Sequence, residues 1–212
     1  MQRAIELAKR GQYTTRPNPN VGCVLVRDGQ VLGEGFHARA GQPHAEVMAL
    51  RAAQVSGQAV NGATAYVTLE PCSHHGRTPP CADALIAAGI TRVVIAVSDP
   101  NPKVAGNGIA KLRAAGLEVQ TGICEAQAAA LNAGFLRCMQ GGLPWVRAKI
   151  ACSLDGRIAL ADGTSKWITG DAAREDGQRL RARSGAIITG SQTVLSDTPR
   201  MDVRSTSLGV PV

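Results

Sequence analysis

Hydrophobic and polar positions recur along this chain with two periods, and the switches between them outline an α/β protein. Residues 1–10 (MQRAIELAKR) bring Ala4, Ile5, Leu7 and Ala8 onto one helical face before Gly11 stops the helix. Two apolar runs, Val21 to Val26 and Val31 to Phe36, predict strands joined through Asp28-Gly29, a dipeptide suited to a tight hairpin turn. Pro43 opens a second helix with Val47, Leu50 and Ala53 as its apolar positions, ending by Gly57. Strands are predicted at Ala63 to Leu69, Arg92 to Val97 and Leu117 to Thr121, with helices from about Cys81 to Ala88 and Ile109 to Ala115 between them. An alanine-rich helix, Cys124 to Met139, completes this unit, and Gly141-Gly142-Leu143-Pro144 predicts a linker. The expected domains are therefore residues 1–144 and 145–212. In the second, Val146 to Ala151 and Ala186 to Thr189 predict strands, the latter buried, around a helix from about Asp171 to Arg183, and Gly190-Ser191 opens a further helical turn. One strand-helix-strand unit cannot bury both faces of a sheet, so this second half is expected to be incomplete.

Composition narrows the class. With 44% hydrophobic and 18% charged residues in 212, the chain can build a core and is not globally disordered. No apolar run approaches the roughly 18 residues a membrane helix needs, and residues 1–11 lack a signal-peptide layout, so a cytoplasmic, non-membrane protein is expected. In a reducing compartment six cysteines point to metal binding or burial rather than disulfides, with Cys23, Cys124, Cys138 and Cys152 expected as core or free thiols. The net charge of +7 is spread evenly, with 13 basic and 9 acidic groups in residues 1–145 and 10 and 7 in residues 146–212. Such a balance favours a phosphorylated partner. Two Trp, two Tyr and two Phe are too few for the stacking that holds single-stranded nucleic acid, so a small phosphorylated metabolite is expected instead.

The chemistry concentrates between residues 44 and 81. His44-Ala45-Glu46, Pro71-Cys72 and Cys81 supply one imidazole and two thiols, the donor set of a catalytic zinc site that keeps its fourth position for water. Glu46, two residues from a ligand, is then the proton carrier. His44 is expected in the first turn of one helix, Cys81 at the start of another, and Cys72 at the end of the strand between them. Helix amino termini there would favour thiolate. The alternative is a closed structural site with His37, His74 or His75 as fourth ligand, since all four histidines lie between residues 37 and 75. Zinc deaminases usually close on Pro-Cys-x-x-Cys, whereas eight residues, Ser73 to Pro80, separate the cysteines here.

That gap, with the strings RPNPNVGCVLV (16–26), GFH (35–37), GQPHAE (41–46) and PCSHHGRTPPC (71–81), resembles the bifunctional deaminase-reductases of riboflavin biosynthesis, within the cytidine deaminase-like superfamily. The resemblance extends over essentially the whole chain. It implies a cytidine deaminase-like three-layer α/β domain followed by the start of a dihydrofolate reductase-like α/β domain. By motif, His44, Cys72 and Cys81 are the ligands of Zn2+ and Glu46 the catalytic residue. The implied substrate is a diaminopyrimidinone carrying ribosylamino 5′-phosphate, deaminated on the ring and then reduced in its ribose with NADPH. Asn20, His37, His74 and Arg77 are implied in deaminase substrate recognition, and the loop from Ser73 to Thr78 offers donors for a phosphate. In the second unit Ala151, Trp167, Thr193 and Asp197 are implied to touch NADP, and Ser165, Arg181, Met201 and Arg204 the reductase substrate. Arg174, Arg179, Arg181 and Arg183 also fit a solvated helix face. The family's reductase domain needs roughly as much sequence again as follows residue 145, so the chain is expected to deaminate without reducing. A nucleic-acid base deaminase and a non-catalytic zinc-stabilised module are the competing readings, and a homo-oligomer is compatible with each.

Overall fold

The computed structural model describes residues 1–74, 79–102, 104–205 and 207–208. They form two compact units, Met1–Trp145 and Val146–Val212.

The first unit begins with helix α1 (Gln2–Lys9), whose buried Ala4, Ile5, Leu7 and Ala8 are the face its periodicity marks out. Strands β1 (Gly22–Arg27) and β2 (Gln30–Phe36) pair antiparallel through the Asp28-Gly29 turn. Both turn residues have positive φ, 51° and 75°, the conformation a two-residue hairpin demands. Helix α2 (Ala45–Val55), strand β3 (Thr64–Leu69), helix α3 (Cys81–Ala87), strand β4 (Arg92–Val97), helix α4 (Asn107–Ala114) and strand β5 (Glu118–Thr121) follow. The sheet order is β2-β1-β3-β4-β5, with β1 antiparallel to β2 and β3, and β3, β4 and β5 parallel. Side chains alternate across it. Cys23, Leu25, Val67, Val93 and Ile95 pack with Ala49 of α2, Leu85 of α3 and Leu112 of α4. Val24 packs with Ala4 and Leu7 of α1, and Ala96 clusters with Ile5, Ala128 and Leu136. The result is a three-layer α/β/α unit, the period-two burial expected when helices cover both faces.

Three features differ from the sequence expectation. The alanine-rich helix is two, α5 (Glu125–Leu131) and α6 (Ala133–Met139), broken at Asn132, whose φ of −119° leaves the helical region. The cause is polar: the buried Asn132 side chain accepts from the Asn20 N–H (2.7 Å) and donates to the Asn20 carbonyl (2.8 Å). Second, α2 starts at Ala45, and His44 is its extended N-cap (ψ 166°) rather than part of its first turn. Third, the second unit has helices α7 (Asp171–Ala182) and α8 (Ser191–Asp197) and no strand among its described residues. The stretches predicted as strands, 146–151 and 186–189, have no ladder partner there, and Ile188, expected buried, is 93% exposed. An apolar run becomes a strand only when another strand accepts its backbone hydrogen bonds.

Candidate active site

Three elements deliver the side chains of the motif to one place. Cys72 lies just beyond β3, His44 caps α2, and Cys81 begins α3 behind Pro80. The ligand atoms of His44, Cys72 and Cys81 all lie within 4.8 Å of one another. His44 Nδ1 stands 3.2 Å from Cys81 Sγ and 3.6 Å from Cys72 Sγ. Zinc at about 2.3 Å from sulfur and 2.0 Å from nitrogen requires N···S edges near 3.5 Å in a tetrahedron, so the residues present fit the ion in spacing and donor type. The Cys81 backbone N–H donates to Cys72 Sγ (3.3 Å), placing the amino terminus of α3 against a sulfur. Hydrogen bonding from Cys81, with help from His44, holds the Cys72 thiol down to about 4 against the pull of burial. Cys81, the donor in that pair, is pushed the other way.

Glu46 is 3% exposed and sits in the first turn of α2 beside these sulfurs. Burial pushes its carboxyl up to about 7, with a contribution from the Cys72 thiolate, while its own N–H and His44 hold it down. It is poised for proton exchange near neutrality. Beneath it, Cys23 is fully buried, and burial followed by the Glu46 charge raises its thiol well above the usual range.

The substrate candidates divide. His37 is 2% exposed and both ring nitrogens have protein partners, Nδ1 with the Pro43 carbonyl (3.1 Å) and Nε2 with the Asn18 amide nitrogen (3.0 Å). A carbonyl only accepts and an amide nitrogen only donates, so His37 is neutral with its proton on Nδ1. Burial lowers its pKa accordingly. Its ring meets that of His44 edge-on at 5.3 Å, bracing the metal-side histidine. Asn20 Oδ1 accepts from the Thr15 hydroxyl (2.9 Å) and its Nδ2 donates to the Leu131 carbonyl (3.2 Å), so both ends of this amide are held by the protein. His74 is exposed beyond Cys72. Arg77, like His75, lies outside the described residues. Sequence reasoning overlooked Asp99, 7% exposed past β4, whose carboxyl is raised by burial and then by Glu70 and Cys72, with the Asn101 N–H and His74 opposing. In sequence Ser98-Asp99-Pro100 reads as an ordinary turn, and only the fold sets Asp99 against Glu70, to which its N–H donates.

In the second unit Arg181 and Arg204 converge, both donating to the carbonyls of Arg200 and Asp202. Thr193 and Asp197 lie one helical turn apart on α8 and share a face. Trp167 is 70% exposed and lies under the Arg174 guanidinium at 4.7 Å. Met201 is half-buried, as is Ala151, while Ser165 is exposed.

Two family models match this arrangement, the cytidine and deoxycytidylate deaminase zinc-binding region over residues 1–97 and the RibD C-terminal domain over residues 144–209. The riboflavin biosynthesis protein RibD of Escherichia coli (strain K12) is 59% identical over 208 residues, 98% of this chain. Over nearly its whole length the chain is similar to RibD proteins. It spans about half the length of the curated relatives it matches, 56% of the E. coli RibD. RibD of Acinetobacter baumannii superposes with a TM-score of 0.88 at 63% identity, over 96% of this chain and 56% of that one. A diaminohydroxyphosphoribosylaminopyrimidine deaminase/5-amino-6-(5-phosphoribosylamino)uracil reductase from Thermotoga maritima superposes with a TM-score of 0.89 at 48% identity, over 94% and 56%. The fold is that of these RibD structures, a cytidine deaminase-like α/β domain followed by the start of the C-terminal reductase domain. Among the described residues no helix is long and apolar enough to cross a membrane.

Proposed function

We propose that residues 1–144 are a zinc-dependent deaminase acting on a diaminopyrimidinone with a ribosylamino 5′-phosphate, the riboflavin-pathway step of the RibD family. The observation that carries this is the pairing of the His44, Cys72 and Cys81 donor triangle with a buried Glu46 whose carboxyl titrates near neutrality. Three protein ligands leave a tetrahedral ion one position short, the mark of a catalytic rather than a structural site. Bound zinc supplies the Lewis acidity that makes water nucleophilic near pH 7. Glu46 takes a proton from the attacking water, passes it to the ring nitrogen, and returns one to the departing amine, which leaves as ammonia while the ring carbon becomes a carbonyl. His37 holds the His44 ring in orientation, and Asn20 fixes the loop ahead of β1. His74 and Arg77 are proposed to meet the phosphate, for which guanidinium is the natural partner. Thiols that must stay reduced to hold metal suit the cytosol.

Residues 145–212 are proposed as the opening part of an NADPH-dependent reductase domain. Ala151, Trp167, Thr193 and Asp197 face the dinucleotide in this reading, and Ser165, Arg181, Met201 and Arg204 the sugar phosphate. The side-chain chemistry fits a dinucleotide in part: an exposed indole, a hydroxyl and a carboxylate are present, while Arg181 and Arg204 are turned onto neighbouring carbonyls. We assign no hydride-transfer step to these residues.

The test is ammonia release from the phosphorylated diaminopyrimidinone, its dephosphorylated form, cytidine and single-stranded RNA. The expected order puts the phosphorylated compound first by at least tenfold in kcat/KM. Turnover of RNA with none of the phosphorylated pyrimidine would overturn the substrate class.

A further inference from the structure

Two positions before Cys72 lies a residue that sequence reasoning passed over. Glu70 follows β3 directly, is 4% exposed, and divides its carboxylate between two pairs of backbone donors. Oε2 accepts from the N–H groups of Asp99 (3.2 Å) and Gly106 (3.2 Å), and Oε1 from those of Gly108 (3.0 Å) and Ile109 (3.2 Å). Gly108 and Ile109 belong to the first turn of α4, whose N-cap, Gly106, has no side chain to offer them. Glu70 thus caps α4 from beyond the end of β3, and its own N–H extends the β3–β4 ladder to the Val97 carbonyl (2.9 Å). Independently, α4 is pressed onto the next residue: a Cβ on Gly108 would lie 2.0 Å from the Pro71 carbonyl oxygen. On the other side the Cys72 carbonyl accepts from Ala82 of α3 (3.1 Å). The three residues Glu70, Pro71 and Cys72 are therefore fastened at both ends.

We propose that Glu70 is a positioning residue of the metal centre, fixing through α4 the backbone that presents the Cys72 sulfur. This rests on the reading that His44, Cys72 and Cys81 hold zinc. A metal ligand must be held to within a few tenths of an ångström, and the groups that orient it affect affinity as the ligands do. A capping role alone would lower the stability of the fold and leave the metal affinity of folded protein unchanged. A positioning role lowers that affinity and alters the ligand field.

The experiment uses the full chain as wild type, Glu70→Gln and Gly108→Ala, with circular dichroism to establish folding at the working temperature. Zinc affinity is measured by competition with a chromophoric chelator, and the cobalt-substituted forms are compared by their visible absorption. Glu70→Gln keeps the volume but replaces one acceptor oxygen with a donor facing two N–H groups, and Gly108→Ala crowds the Pro71 carbonyl oxygen (2.0 Å) far more than Glu70 Oε1 (3.2 Å) while leaving both acceptor oxygens in place. The expected result for each is zinc binding about ten- to a hundredfold weaker and shifted cobalt bands. Folded Glu70→Gln with wild-type affinity and spectrum would overturn the proposal. If that variant does not fold, the same outcome for Gly108→Ala overturns it. If neither folds, amide exchange in the wild type decides: zinc should slow exchange at Gly108 and Ile109, and rates indifferent to zinc would refute the coupling. A wild-type chain that takes up no zinc would instead overturn the metal-centre reading itself.

Discussion

At the scale of single residues, the site separates the proposed ligands from the proposed proton carrier by what surrounds each. Cys72 has an N–H donor and a neighbouring thiol and is held as thiolate, whereas burial outweighs the Glu46 backbone N–H, His44 and Cys81 and lifts the Glu46 carboxyl to about 7. Glu46→Gln should therefore keep zinc and the fold while lowering deamination about a hundredfold to ten-thousandfold, as loss of a general acid-base group does. Cys81→Ser should do the reverse, releasing the metal along with activity, and metal analysis beside ammonia release distinguishes the two. Arg77→Ala should raise KM for the phosphorylated substrate while sparing its dephosphorylated form. Equal penalties on both would remove Arg77 from the phosphate. The clustering of His44, Cys72 and Cys81 was legible because residue types and spacing of this kind encode donor chemistry directly. Glu70, Asp99 and Asn132 were not, since an acid or amide at the end of an element looks the same in sequence whether it meets water or four backbone amides.

At the scale of elements, the sheet positions the site by letting α2 come very close. Gly33 and Gly35 of β2 face the small residues Ala45, Ala49 and Ala53, and a Cβ on Gly35 would lie 2.4 Å from both the Ala45 carbonyl oxygen and the Ala49 nitrogen. The helix that carries Glu46, and that His44 caps, thus rests on bare backbone. Gly35→Ala must displace that helix, costing about 1–3 kcal/mol as overpacking typically does. Urea denaturation of the zinc-loaded protein should show a lower midpoint with unchanged slope. An unchanged midpoint would mean that α2 shifts freely, and that the glycines do not set its position. The periodicity placed every element of the first unit to within a few residues. It missed the break at Asn132 because an isolated asparagine among alanines is tolerable in a helix, and only the backbone of Asn20, 112 positions away, draws it out.

At the scale of the whole molecule, the proposed zinc site would tie together β3, α2 and α3 through residues 72, 44 and 81, so loading should be a stability term of the first unit. Metal that binds only the folded state stabilises it by about 2.7 kcal/mol at a free concentration a hundredfold above Kd. Calorimetry with and without chelator should show a transition that moves down on metal removal, and an unmoved transition would mean that the triangle binds no ion worth the name. What the sequence determined by itself is the α/β alternation of the first unit, the candidate set of His44, Cys72, Cys81 and Glu46, and the resemblance to the riboflavin deaminase-reductases, because helix and strand periods and metal-donor spacing are local properties of a chain. Tertiary structure decided that His37 and Asn20 spend their polar groups on the protein, that Asp99 meets Glu70, that Glu70 caps a helix from beyond the end of β3, and that residues 146–151 and 186–189 are not strands here. Each of those depends on a partner distant in sequence, and a hydrogen bond or a β-ladder exists only when both members are brought together.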